Sequence, residues 1–231
     1  MKKITLLLIS LLMLSTLVTA QKKLCIHKIS GDKIEFVASD VAYIDFEDEV
    51  PSIDANGHEY VDLGLPSGTL WATMNVGADS PEDYGDYFAW GETTTKLIFS
   101  SANYTNVSNI SPLPLKNDVA NVILGGDWRM PTKEEQDELR TKCTWTWTTQ
   151  NGANGYIVTG PSGKSIFLPA AGFRANSDLK NVGSWGCYWS STLYQDRVGN
   201  AFILAFLSNN VAWSATDCFG GLTVRPVLKA K

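Results

Sequence analysis

The stretch Gly125–Leu139, GGDWRMPTKEEQDEL, carries the clearest local grammar in the chain. Thr132 and Glu135 stand three residues apart at the head of a charged run. The Thr132 hydroxyl can accept from the Glu135 amide while the Glu135 carboxylate reaches back to the Thr132 amide, a reciprocal cap that starts a helix. Glu134 and Glu135 meet the positive end of that helix, and Arg140 and Lys142 its negative end. The pattern predicts a helix over 133–141. Immediately upstream, Asn117 or Asp118 can cap Val119–Leu124, and Gly125 can end this shorter helix in the left-handed conformation that other residues resist. The tract reads as part of a rigid, Trp-rich scaffold and supplies no obvious catalytic group.

Downstream, the signals are those of strands. CTWTWTT puts Cys143, Trp145 and Trp147 on one face and threonines on the other, the period of a strand. GYIVTGPSGKSIFLP holds two strands joined across Gly160–Gly163. AFILAFL and VAWSA flank Ser208, Asn209 and Asn210 as a second hairpin, and GLTVRPV is expected to close the chain as a strand. AFILAFL is apolar throughout, so both its faces should be covered and the strand should be central. Upstream, Tyr60–Thr93 places a glycine or proline every few residues, which predicts short strands and tight turns with Trp71, Tyr87, Phe88 and Trp90 as core. Residues 93–117, rich in Ser, Thr and Asn, read as a long surface loop.

The N-terminus begins with Lys2 and Lys3, continues with an apolar run from Ile4 to about Val18, and reaches small residues at Ala20. This is the pattern of a secretory signal peptide over residues 1–20, too short and wrongly flanked for a membrane anchor. No second apolar run could span a bilayer, so no transmembrane segment is expected after signal removal. Residues 21–50 read as a short β segment in which Leu24, Ile26, Ile34 and Phe36 alternate around the Gly31–Asp32 turn, and Val41, Tyr43, Ile44 and Phe46 continue the pattern. Residues 51–56 read as a linker, and 57–229 as the main domain. Loss of the two lysines with the signal would move the formal net charge from −5 to about −7, a balance that disfavours a nucleic-acid partner.

Cys25, Cys143, Cys187 and Cys218 would all remain in an exported chain, where disulfides are permitted. Cys187 and Cys218 share the last β-rich third, making them the candidate bridge, with two buried thiols as the alternative. The two histidines, His27 and His58, form no metal-binding spacing with the cysteines, and no metal or other cofactor is expected.

The segments VDLGLPSGTLWATMNVGADSPEDYGDYFAWGET, GGDWRMPTKEEQDEL, CTWTWTTQNGANGY, SIFLPAAGFR, GCYWSST and GLTVRPV occur in this order over roughly residues 57–228. Together they resemble the Fibrobacter succinogenes major paralogous domain (FISUMP) family. The resemblance implies a C-type-lectin-like α+β fold with two short helices and twisted antiparallel sheets, in secreted or surface proteins of gut-type bacteria. Residues 21–50 look like the β leader often found before such domains. The resemblance brings no catalytic set. The Glu-Pro-Asn, Gln-Pro-Asp and Trp-Asn-Asp tripeptides of calcium-dependent sugar binding are absent. The formylglycine-generating enzymes share a related fold and use reactive cysteines, a role that Cys187 and Cys218 could only imitate.

Function is therefore expected in loops held by the scaffold. Tyr194, Asp196, Arg197, Asn209, Asn210, Trp213 and Asp217 fall in or beside the turns between the last apolar strands and form the candidate ligand surface. Trp145 and Trp147 could instead stack on a sugar ring, although core packing is the simpler reading. Trp128, Arg129, Arg174 and Arg225 read as packing and positioning residues. The expected function is a non-enzymatic binding module for a glycan or a cell-surface protein, periplasmic or displayed outside the cell. The alternatives are a structural component of the envelope or an appendage, and a hydrolase using Asp83, Asp86 and Glu92.

Overall fold

The computed structural model describes residues 23–27, 33–40, 51–54, 56–105 and 110–229. The expected signal peptide, the Gly31–Asp32 turn and the Val41–Phe46 pattern lie outside these residues. The chain divides into two compact units, residues 1–49 and 50–231. In the first, β1 (Lys23–His27) and β2 (Lys33–Val37) pair antiparallel. Leu24 opposes Phe36 and Ile26 opposes Ile34, so the alternation seen in the sequence becomes one apolar face.

The second unit opens with β3 (Ser52–Ile53), β4 (Glu59–Asp62) and β5 (Thr69–Ala72), followed by two helices, α1 (Val119–Leu124) and α2 (Lys133–Lys142). Next come β6 (Thr144–Gln150), β7 (Ala153–Thr159), β8 (Ser165–Pro169), β9 (Phe173–Ala175) and β10 (Asp178–Lys180). The chain ends with β11 (Gly186–Leu193), β12 (Asn200–Leu207), β13 (Asn210–Asp217) and β14 (Val227–Lys229). All strand pairs are antiparallel: sheets β14-β5-β4-β3, β6-β7-β8 and β11-β12-β13, and the pair β9-β10. The unit is α+β. Among the described residues no helix is long and apolar enough to cross a membrane.

Both helices begin as their sequences dictate. Asp118 caps α1, accepting from the Ala120 and Asn121 amides, and Gly125 ends it at φ 73°. Thr132 and Glu135 form the reciprocal cap of α2. Trp128, between the helices, is buried and donates its Nε1–H to Asp54 Oδ2 at 2.7 Å.

The β12 strand is central, and its pleat divides the core. Ala201 and Ile203 join Trp90, Met130, Val119 and Trp189 in one cluster. Leu204 and Phe206 join Trp71, Leu139, Tyr156 and Tyr188 in the other. A strand between two cores can carry no polar alternation, which is why AFILAFL has none. Trp145 and Trp147 pack on the second cluster, each edge-on to Tyr156, at 5.4 and 5.1 Å. Both are half-buried parts of the scaffold.

The sequence expectations require four corrections. Residues 51–56 are more than a linker, because Ser52 and Ile53 pair with Tyr60 and Glu59. The Ser/Thr/Asn-rich stretch 93–117 is pinned at two points: Phe99 pairs with Asn176, and both Phe99 and Leu113 are buried. GLTVRPV is no continuous strand; Gly221, Leu222 and Thr223 make isolated bridges, and regular pairing begins only at Val227. Pro226 explains the break, since it has no N–H for a ladder. Finally, Cys187 and Cys218 form no disulfide. Both are free, buried thiols in the first core cluster, packed as small hydrophobes.

Arg225 is fully buried without a carboxylate partner. Its guanidinium donates to Asn75 Oδ1 (2.8 Å) and to the carbonyls of Ala72 (3.0 Å), Thr73 (2.5 Å) and Phe167 (2.8 Å). Burial lowers its pKa to about 10, so it stays a cation at neutral pH. The fork geometry of arginine lets one side chain tie β5, β8 and the C-terminal segment together.

Candidate functional site

The pleat of the β12–β13 hairpin sets the site. Ala201, Ile203, Ala205 and Leu207 of β12 pair with Thr216, Ser214, Ala212 and Asn210 of β13, and all share one face of the sheet. On β13 this face carries only small side chains over three alternate positions, Ala212, Ser214 and Thr216. Their small size leaves a groove of about 610 Å³.

The groove wall is aromatic. Phe173 and Trp185 meet at 6.0 Å with their planes tilted by 36°, and Trp185 keeps 40% of its surface exposed. Phe219 and Gly220, just past β13, also border the groove. Local backbone chemistry holds Trp185 in place. Its N–H donates to Asn181 O (2.9 Å), while its carbonyl accepts from Gly172 N (2.7 Å). Gly172 sits at φ 65° with the Lys180 carbonyl where a Cβ would stand, so this junction requires glycine.

The groove carries few polar groups. Ser214 and Thr216 place hydroxyls on its floor, with Asn210 and Asp217 at the two ends of β13. Asp217 is 3.7 Å from the exposed Arg197 guanidinium. Arg174 borders the groove from β9, and its guanidinium lies over the Tyr87 ring, 5.2 Å from the centroid. The Cys187 thiol beneath is pushed up to about 12 by burial, as is that of Cys218. At neutral pH neither offers a thiolate nucleophile.

The opposite face of the hairpin holds a second aromatic group. Phe202 meets Tyr194 at 5.1 Å and Trp213 at 5.4 Å, both edge-on. Lys133, the first residue of α2, lies over Phe202 at 5.3 Å and over Trp213 at 5.0 Å.

The seven residues chosen from the sequence are thus divided by the sheet. Asn210 and Asp217 border the groove. Trp213 also borders it, while its indole packs edge-on against Phe202 on the far face, where Phe202 also meets Tyr194. Asp196 accepts a hydrogen bond from the Tyr194 phenol, raising that phenol's pKa. Arg197 reaches Asp217, and Asn209 occupies the exposed turn between β12 and β13. Sequence reasoning missed Phe173, Trp185, Phe219 and the small-residue floor. The available signal was the alternation of Ala212, Ser214 and Thr216 in a strand that otherwise exposes a tryptophan.

The carboxylates Asp83, Asp86 and Glu92 are engaged separately. Asp83 Oδ2 accepts from Asp79 N (3.3 Å), Glu92 binds Lys96 (2.6 Å) and Thr105, and Asp86 is exposed beside Gly77. Among the described residues no group of three or more His, Cys, Asp or Glu side chains could hold a metal ion.

Comparison of the chain with protein-family models, with curated proteins and with solved structures finds no match.

Proposed function

We propose that this chain is an exported, non-enzymatic binding module of C-type-lectin-like architecture, related to the FISUMP family, whose β12–β13 groove takes a glycan. The observation that carries the reading is the groove itself. An indole face left partly bare beside a floor of small and hydroxylated side chains suits a flat, polyhydroxylated ring, which can stack on Trp185 and hydrogen-bond to Ser214, Thr216 and Asp217. In this reading recognition runs through stacking and direct hydrogen bonds and does not depend on calcium. The buried thiols and the separately engaged carboxylates support a non-enzymatic role.

A glycan array probed with residues 21–231, with and without calcium, tests the proposal. Retention on a defined set of glycans in both conditions, lost in Trp185→Ala, is the expected result. No retention on any glycan, or retention unchanged by Trp185→Ala, refutes it. Protease treatment of intact cells then tests surface display, since a surface module is cleaved and a periplasmic one protected.

A further inference from the structure

Among the described residues no strand pairs with the outer edge of β13. It is the terminal strand of its sheet, with β12 as its strand partner among the described residues. The hydrogen-bond phase follows from the end of the ladder, where Cys218 N donates to Gly199 O at 2.8 Å. Bonding alternates along an antiparallel pair, so Thr216, Ser214, Ala212 and Asn210 exchange bonds with β12. Val211, Trp213 and Ala215 turn their backbone N–H and C=O groups outward, and Asp217 its N–H, while the Asp217 carbonyl accepts from Gly220 N at 3.0 Å.

Edge strands usually protect themselves with lysine, proline, a bulge or a short length. The β13 strand, NVAWSATD, spans eight residues, pairs with β12 without a bulge and contains no lysine or proline. Its single charge is Asp217, at one end. Trp213 leaves 48% of its surface bare beside this edge.

We propose that a second copy of this chain pairs its β13 antiparallel with this edge about a two-fold axis at Ser214. The strand is self-complementary in that register. Trp213 opposes Ala215, a large side chain across from a small one, and Ala212 opposes Thr216. Each Asp217 opposes Val211, so the two carboxylates stand at opposite ends and no like charges face each other. The axis is perpendicular to the sheet, which joins two three-stranded sheets into one of six strands. Both grooves then open on the same side, and each copy's Ala212, Ser214 and Thr216 extend the floor of the other's groove. The result is one bivalent site, whatever ligand the grooves accept.

The register makes the test specific. In the proposed pair the two Ser214 Cα atoms lie about 4.5 Å apart, within disulfide reach. In a Cys25→Ser background, which removes the exposed thiol, Ser214→Cys should form a covalent dimer under mild oxidation, whereas Ala212→Cys should not. Light scattering should give twice the monomer mass for the unmodified chain. Ala215→Pro, which removes only an outward-facing donor, should give the monomer mass with its melting temperature retained; Ala215→Lys provides the same test should proline disturb the strand. The proposal is overturned if the unmodified chain is monomeric at all concentrations, if the two cysteine variants cross-link equally, or if the dimer survives both Ala215 substitutions. A monomer that instead accepts an unrelated extended peptide at β13 also overturns it.

Discussion

The polar clamp around the two helices and the β12–β13 hairpin treat polar and aromatic groups in opposite ways. In the clamp, Arg129 donates from Nη1 and Nη2 to Glu135 (2.7 and 2.5 Å), and Glu135 also accepts from Thr132 N (2.8 Å) and Thr69 Oγ1 (3.1 Å). Asp118 accepts from three backbone amides, and Gln136 donates to the Tyr188 and Trp189 carbonyls. On and beside the hairpin, Trp213 and the neighbouring Trp185 stay partly bare, Ser214 is exposed, and one backbone edge faces outward. Stability is concentrated where polar groups are matched inside the protein. Around the hairpin they are left unmatched by the protein itself.

Substitutions should separate the two regions, and the largest effect belongs to the buried scaffold. Arg225→Met keeps the side-chain stem but leaves Asn75 and three carbonyls without their donor. At roughly 1–3 kcal/mol for each orphaned buried acceptor, the loss should be at least about 3 kcal/mol by denaturant unfolding. A smaller loss would mean that water reaches the site.

Asp118→Asn comes next. Asp118 Oδ1 serves Ala120 and Asn121, and Oδ2 serves Met130. The amide nitrogen of asparagine would face one of those donors, so unfolding should reveal a cost of roughly 1–3 kcal/mol. The same residue sets a pH dependence. Burial, acting against three backbone donors, pushes its pKa up to about 6 from an ordinary 3.8. The folded state therefore holds this proton more tightly than the unfolded chain does. The contribution is fully present below about pH 4 and is lost as pH rises through about 6. Glu135 acts in the other direction. Burial opposes its charge, but Arg129 and the Thr132 amide outweigh it and hold the carboxyl below its ordinary range, so its contribution is lost in acid. The difference between the Asp118→Asn and unmodified stability curves isolates the Asp118 share; a flat difference between pH 4 and 6 contradicts it.

Thr132→Ala removes the hydroxyl that accepts from Glu135 N at 3.3 Å. It should cost about 1 kcal/mol in thermal unfolding, with glycan retention unchanged. Trp185→Ala should show the reverse, with stability lowered by no more than about 1 kcal/mol and binding lost. A Trp185→Ala protein that unfolds like Arg225→Met would place Trp185 in the scaffold and erase the distinction.

The scaffold was more legible in the sequence than the site. The Thr132–Glu135 cap, the Gly125 terminus, the Cys143–Thr149 alternation and the two later hairpins rest on contacts within a few residues, so composition and spacing were enough. The closing strand was misread because Pro226 interrupts a run that otherwise has strand composition. Phe173 and Trp185 escaped because each looks like one more core aromatic. Only the turn after β10 and the Gly172–Trp185 bond make them the wall of a groove. Loop proximity joined Tyr194, Asp196, Asn209 and Asp217 in one expected surface, whereas the pleat of a single hairpin sends its side chains to two faces.

By itself the sequence determined the helix starts and stops, most strand positions, the central place of AFILAFL and the burial of Trp71, Trp90 and Trp128, because capping, periodicity and apolar content act locally or through burial alone. Only the tertiary structure decided that Cys187 and Cys218 remain thiols, that Arg225 bridges distant carbonyls, and that small residues on β13 meet aromatic residues from β9 and the turn after β10. Those outcomes depend on which distant segments are brought together, and no spacing along the chain encodes a distance across the core.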